Sequence, residues 1–156
     1  FKAPVIRIMP NINATVLEAM SAYCCSESVT DDQKEFVNKL CSSFGKVMPL
    51  SESYFPLFCS IAGCAPAYAY MFIDSLARSA VKNGMNKSVA LEIAAQTVLG
   101  SAKKILESDE HPWELIDKVC SPGGTTIEGI VSLQKDGFES AVCNAVDAAL
   151  QKDKKV

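Results

Sequence analysis

The stretch "CSPGGTTIEG", residues 120–129, holds the residues of this sequence best suited to chemistry. Gly123 and Gly124 allow positive φ and a close backbone approach to another molecule. Thr125 and Thr126 add hydroxyls just ahead of a segment with helical spacing. The first N–H groups of a helix have no partner within it and point outward, so they attract anions. Gly124, Thr125 and Thr126 would supply those groups, the Thr126 hydroxyl would donate to a substrate heteroatom, and Ser121 would help hold the turn. No lysine lies within it, as the Gly-x-x-x-x-Gly-Lys-Ser/Thr phosphate loop requires. Amides and hydroxyls without a cation suit a single carboxylate better than a polyphosphate. On spacing alone, a plain helix–helix turn punctuated by Pro122 and Gly123 and capped by Thr125 accounts for the same residues.

Other constellations are weaker. The single histidine, His111, precedes a proline at a helix start and has no Ser or Cys partner at a recognisable spacing, so it is expected to be a hydrogen-bonded helix-start residue. Asp109 and Glu110 sit at the same start, where acids are favoured electrostatically. Seven cysteines (24, 25, 41, 59, 64, 120 and 143) are an odd number without a Cys-x-x-Cys pair. That argues against a zinc site and a disulfide framework, and for reduced thiols in a cytoplasmic protein. Cys24 and Cys25 are expected to be buried thiols, and Trp113 to lie in a core. No Gly-x-Gly-x-x-Gly run is present to cradle a dinucleotide.

The elements that must position the turn divide near residue 51. Before it, "APVIRIMPN" gives a strand at Val5–Ile8 ending at Pro10-Asn11, "AMSAYCCS" a second and "KVMPL" a third. Between the last two, "TDDQKEFVNKLCSSFG" predicts a helix capped by Thr30 or Asp31, with Phe36, Val37, Leu40 and Phe44 on one face and Gly45 at its end. After residue 51 the text turns helical. "APAYAYMFIDSLARSAVKNG" carries Pro66 near its start and Gly84 at its end. Asn86 caps a second helix striped by Leu91, Ala95, Val98, Ala102 and Ile105. Shorter helices follow in "HPWELIDKVC", "TIEGIVSLQKDG" and "FESAVCNAVDAALQKDKKV", the last ending in lysines that suit a helix C-terminus. The expected fold is mainly α, a helical domain preceded by a small α/β piece of two or three short strands and one helix.

Of the 156 residues 49% are hydrophobic and 21% charged, as in a core-forming chain. A net charge of −3 offers no basic surface for nucleic acid or anionic membrane. No stretch approaches ~18 uninterrupted apolar residues, so no membrane segment is expected. The helices carry Ala, Val, Ile and Leu on more than one face, which predicts a homodimer with helices packed across the subunit boundary.

In order, "VIRIMPN", "APAYAYMFIDSLARSAVKNGM", "AAQTVLGSAKKILES", "EHPWELIDKVC" and "SPGGTTIEGIVSLQKDGFESAV" resemble runs of the pyrroline-5-carboxylate reductases over nearly the whole chain. The resemblance implies reduction of 1-pyrroline-5-carboxylate to L-proline with NADH or NADPH, the last step of proline biosynthesis. It also implies a homodimer, or a higher homo-oligomer built from it, with interlocking helices. Residues 1–50 would be the end of the cofactor-binding Rossmann domain, and 51–156 the helical dimerisation and substrate domain. A chain starting at Phe1 would then be a fragment, inactive alone, its first strand stripped of neighbours and residues 1–50 mobile or paired with the same strand of another copy.

By the same resemblance, Gly124, Thr125 and Thr126 hold the substrate carboxylate. Thr126 stands near the ring nitrogen as the catalytic hydroxyl, Ser121 and Gly123 complete the substrate site, and Asn11 lies near the nicotinamide. Asn11-Ile12-Asn13 replaces the family's Asn-Thr-Pro, and Cys64-Ala65 its Ser-Gly. The family's acidic residue near the substrate corresponds to Asp109 or Glu110. A non-catalytic helical dimerisation or binding module on the same scaffold is the alternative.

Overall fold

The computed structural model describes residues 3–153. They cluster into two compact units, one running to Tyr68 and taking in the chain from Ala145 onward, the other Ala69–Asn144. The lysines expected at the C-terminal helix end include Lys154 and Lys155, outside the described residues.

The first unit contains a three-stranded sheet of β1 (Ile6–Met9), β2 (Ala19–Cys25) and β3 (Gly45–Pro49), in that order. β1 pairs antiparallel with β2, placing Ile6 opposite Cys25, and β3 pairs parallel with it, Ala19 opposite Gly45. The first strand is therefore not stripped of neighbours: β2 satisfies one of its edges. Parallel pairing of β2 and β3 needs a crossover, which α1 (Asp31–Ser42) provides. Thr30 caps it in a full capping box, its hydroxyl accepting from Gln33 N while the Gln33 side chain accepts from Thr30 N.

Two details of this helix differ from the sequence reading. Its inward face is Val37 and Cys41, packed on Tyr23, whereas Phe36 is 66% exposed and Leu40 lies outside too. Gly45 does not end the helix, which stops at Ser42; it opens β3 at φ 152°, where a Cβ would run into the backbone of Ala19. Close approach of two strands is what requires glycine there.

Helical structure then begins earlier than the "APAY" run suggests. A short 3₁₀ turn (Glu52–Tyr54) leads into α2 (Phe55–Phe58), a π-helical turn (Cys59–Gly63) and α3 (Ala65–Lys82). Arg7 ties β1 to this region through an ion pair with Glu52 and by stacking 4.6 Å above the ring of Phe55, which is fully buried. The helical run Glu52–Lys82 is, by length and composition, apolar enough to cross a membrane, although no uninterrupted apolar stretch of that length exists in it. Such a helix by itself is weak ground for a membrane span. Only 6% of its most apolar window is buried, so its apolar surface is largely uncovered in the single chain.

The second unit is helical. α3 ends in a Schellman-type cap: Met85 N donates to Ala80 O, with Gly84 at φ 97°. α4 (Lys87–Leu106) starts from Asn86, whose side chain accepts from Ser88 N. Asp74 joins the two helices by an ion pair with Lys87 and pairs within α3 with Arg78. α5 (Pro112–Val119), α6 (Thr125–Lys135) and α7 (Phe138–Asp153) follow, Phe138 stacking 6.0 Å from Phe72. Within α4 the buried positions are Ala90 and Ala94, while Leu91 and Ile105 of the expected stripe are exposed. Trp113 is 45% exposed, not a core residue.

Candidate functional site

His111 sets the approach to the glycine turn. Its Nδ1 accepts from Trp113 N at 3.2 Å, and Glu114 Oε2 accepts from His111 N at 3.2 Å. This reciprocal cap starts α5, which runs to Val119 and delivers the chain into Ser121-Pro122-Gly123-Gly124.

Pro122 and Gly123 then occupy the corners of a tight turn. Gly123 takes φ 69°, the left-handed conformation that a type II turn demands of its third residue, and Gly124 N donates to Ser121 O at 2.9 Å. That bond corrects the sequence reading: the Gly124 N–H is consumed inside the turn and is not a free donor. Gly124 instead matters for contact. A Cβ there would overlap Ser121 Oγ and lie 3.0 Å from Ser121 O. Ser121 thus holds the turn through its backbone carbonyl.

Gly124, and not Thr125, is the N-cap of α6, and it brings no side-chain hydrogen bond. Thr125 and Thr126 are the first two helical residues, so helix geometry gives their N–H groups no intrahelical acceptor. Glu128 is the acid of this first turn. Two amides at the positive end of a helix dipole remain available to an anion.

Of the residues assigned to substrate, Thr126 lines a cavity. A groove of about 390 Å³ elsewhere belongs to the sheet unit, and one of about 650 Å³ is built by α4, α5 and α6. Ile105, Leu115, Ile116 and Ile130 give it an apolar wall, and Thr126 joins that wall at the start of α6. Lys104 and Lys118 line it as well, so the site is not devoid of cations as the turn alone suggested. Both lysines lie in last turns of helices that precede the glycine run, Lys104 in α4 and Lys118 in α5, which is the signal that was available. Lys118 is engaged by Glu110, and its hydrogen bond holds the Glu110 carboxyl below the usual carboxylate range, with Lys104 adding to the effect. Asp109 is exposed and takes part in no ion pair among the described residues.

Asn11, the remaining assigned residue, follows β1 in the first unit. Its Oδ1 accepts from Met20 N at 3.2 Å and its Nδ2 donates to Ala62 O at 2.9 Å, leaving one N–H and one lone pair of the amide uncommitted. All seven cysteines are unpaired, and burial pushes the thiols of Cys24, Cys41 and Cys59 up, away from thiolate character. Among the described residues no three His, Cys, Asp or Glu side chains gather to hold a metal ion.

Residues 52–156 match the family described as "Pyrroline-5-carboxylate reductase dimerisation". This chain belongs to the pyrroline-5-carboxylate reductase family. It is 40% identical over 152 residues to pyrroline-5-carboxylate reductases of Aquifex aeolicus and Escherichia coli, covering 97% of this chain and 57% and 56% of theirs. The chain therefore spans little more than half the length of those relatives. Among solved structures, the 1-pyrroline-5-carboxylate reductase of Streptococcus pyogenes superposes with a TM-score of 0.93 at 42% identity, over 98% of this chain and 59% of that one. The Plasmodium falciparum pyrroline carboxylate reductase with NADP bound superposes with a TM-score of 0.92 at 36% identity, over 99% and 62%. The expected fold, helices preceded by a small α/β piece of two or three short strands and one helix, is the one observed, with three strands.

Proposed function

We propose that this chain is the substrate-gripping and dimerising part of a pyrroline-5-carboxylate reductase, which converts 1-pyrroline-5-carboxylate to L-proline. One observation carries the reading: the uncapped Thr125 and Thr126 amides open α6 where Thr126 lines the groove between α4, α5 and α6. These amides bind the substrate carboxylate, and the Thr126 hydroxyl hydrogen-bonds the ring nitrogen and manages its proton. Protonation makes the C=N carbon the better electrophile. Holding the acid group fixes the ring, so the residues here act mainly through orientation. Since Lys118 and Ser108 already occupy the Glu110 carboxylate and backbone, Asp109 is the better candidate for the acid near the substrate.

NADH or NADPH supplies the hydride in this reaction. The residues present fit only one end of such a cofactor. Asn11 retains an N–H and a lone pair suited to a carboxamide, but no Gly-x-Gly-x-x-Gly cradle for the pyrophosphate lies in the chain. The exposed apolar helix surfaces, from Met71 and Leu76 on α3 to Leu99 on α4, are the faces a second copy covers in a homodimer. A cytoplasmic location accords with seven free thiols.

Turnover tests the reading in a protein that carries this chain joined to a complete dinucleotide-binding domain. Thr126→Ala should lower kcat/KM for the imine by about 10²-fold or more, the scale of a lost general-acid contact, while the Kd for NADPH stays within twofold. An unchanged kcat/KM removes the assigned role.

A further inference from the structure

Pro66 poses a problem that the fold solves in an unusual way. It is buried at the second position of α3, yet helix continues on both sides of it, from Phe55 to Lys82. Proline inside a helix has no N–H for the carbonyl four residues back, and its ring crowds that carbonyl. The carbonyl concerned is that of Ala62. The chain accommodates the ring by widening: Cys64 N donates to Cys59 O, five residues back, at 2.9 Å. It then tightens again, Ala67 N donating to Cys64 O, three residues back, at 3.1 Å. Neither adjustment gives Ala62 O a donor.

The donor comes from 51 residues away. Asn11 Nδ2 reaches Ala62 O at 2.9 Å, in a part-buried bond. The amide is aimed by its other end, where Oδ1 accepts from Met20 N at 3.2 Å, and by the Asn11 carbonyl, which accepts from Ala14 N at 3.1 Å. One donor and one acceptor on a single short planar group are what the two sites require. Aspartate lacks the donor, and serine lacks the span.

We propose that Asn11 is a positioning residue whose side chain replaces the hydrogen bond that Pro66 cannot make, pinning the π-helical turn to the end of the sheet. It thereby fixes where Cys64 and Ala65 stand and where α3 begins, including Tyr68, whose hydroxyl reaches Ala145 O at 3.4 Å. This role rests on the geometry alone and stands whether or not the reductase reading holds.

A double-mutant cycle tests it on the 156-residue chain, using urea unfolding at one protein concentration. Asn11→Asp keeps the acceptor for Met20 N, removes the donor to Ala62 and sets a carboxylate oxygen beside that carbonyl, so Asn11→Ala is the variant read for the lost donor without that carboxylate. Asn11→Asp should lower the folding equilibrium constant about tenfold or more, the scale of an unsatisfied part-buried carbonyl. Pro66→Ala supplies the missing N–H at position 66. In that background Asn11→Asp should cost threefold or less. Asn11→Ala should behave in parallel, with a larger residual loss because Met20 N also loses its acceptor. Should either variant fail to fold beside Pro66, recovery of folding beside Ala at position 66 supports the proposal just as directly. Equal costs in the two backgrounds, or failure to fold in both, overturns it.

Discussion

Gly124→Ala isolates the construction of the site. Its φ of −79° and ψ of 166° are open to any residue, so the substitution carries no backbone strain. What opposes it is space: the new methyl overlaps Ser121 Oγ and stands 3.0 Å from Ser121 O, with Ser121 Cβ at an ordinary 3.6 Å. Overpacking of that kind costs about 1–3 kcal/mol. Restricting the unfolded chain returns about 0.4–1 kcal/mol. The net loss is about 1 kcal/mol, or a fall in Tm of about 2–4 °C for a chain of this size. Ser121→Ala removes the overlapping oxygen but leaves the carbonyl that closes the turn, so the double variant should recover most of the loss. Gly123→Ala behaves differently: nothing lies within 4 Å of its Cβ, but φ is 69°, so a loss of about 1–2 kcal/mol should persist beside Ser121→Ala. Thermal unfolding followed by circular dichroism at fixed concentration reads all of these. A Gly124→Ala variant as stable as the parent, or one that Ser121→Ala does not restore, would refute the packing argument.

Two further substitutions probe the scaffold. Ser21 is fully buried in β2 and its Oγ has no hydrogen-bond partner, so Ser21→Ala should raise the urea midpoint, by about 1 kcal/mol of stability; a lower midpoint would show that the hydroxyl is satisfied after all. Asp74 is held below the usual carboxylate range by hydrogen bonds from Lys87 and then Arg78. A depressed carboxylate stabilises the fold above its unfolded pKa and loses that contribution as pH falls through the folded one. The gap in urea midpoint between the parent and Asp74→Asn should therefore be constant at neutral pH, close in strong acid, and shrink with added salt, since the pairs are exposed. A gap that widens on acidification would reverse the assignment.

Local signals made much of this legible in the sequence. Thr30, one of the two caps expected, Asn86, and Gly84 beyond α3 are short-range punctuation, and each does in the structure what its residue type dictates. The three strands likewise lie within a residue or two of their β-rich runs. Sidedness was harder to read. Phe36, Leu91 and Trp113 are apolar residues at helical spacing, and periodicity reports that a face is apolar without saying whether its own chain covers it. Pro66 misled in another way: a proline early in a helical run signals a start, and the donor that lets helix precede it lies on a distant strand end, invisible to local pattern. At the candidate site one expected donor is not free. Pro-Gly at the middle of a turn already implies the closing bond from Gly124 N to Ser121 O, which removes one of the three amides.

A proline titration followed by backbone amide resonances in ¹⁵N-labelled protein tests the central claim most directly, because it reads each N–H separately. Saturation should shift the Thr125 and Thr126 amides strongly downfield, with Gly124, whose N–H stays within its turn, moving least of the three. Thr125 and Thr126 amides that hold still while proline is bound would contradict the account.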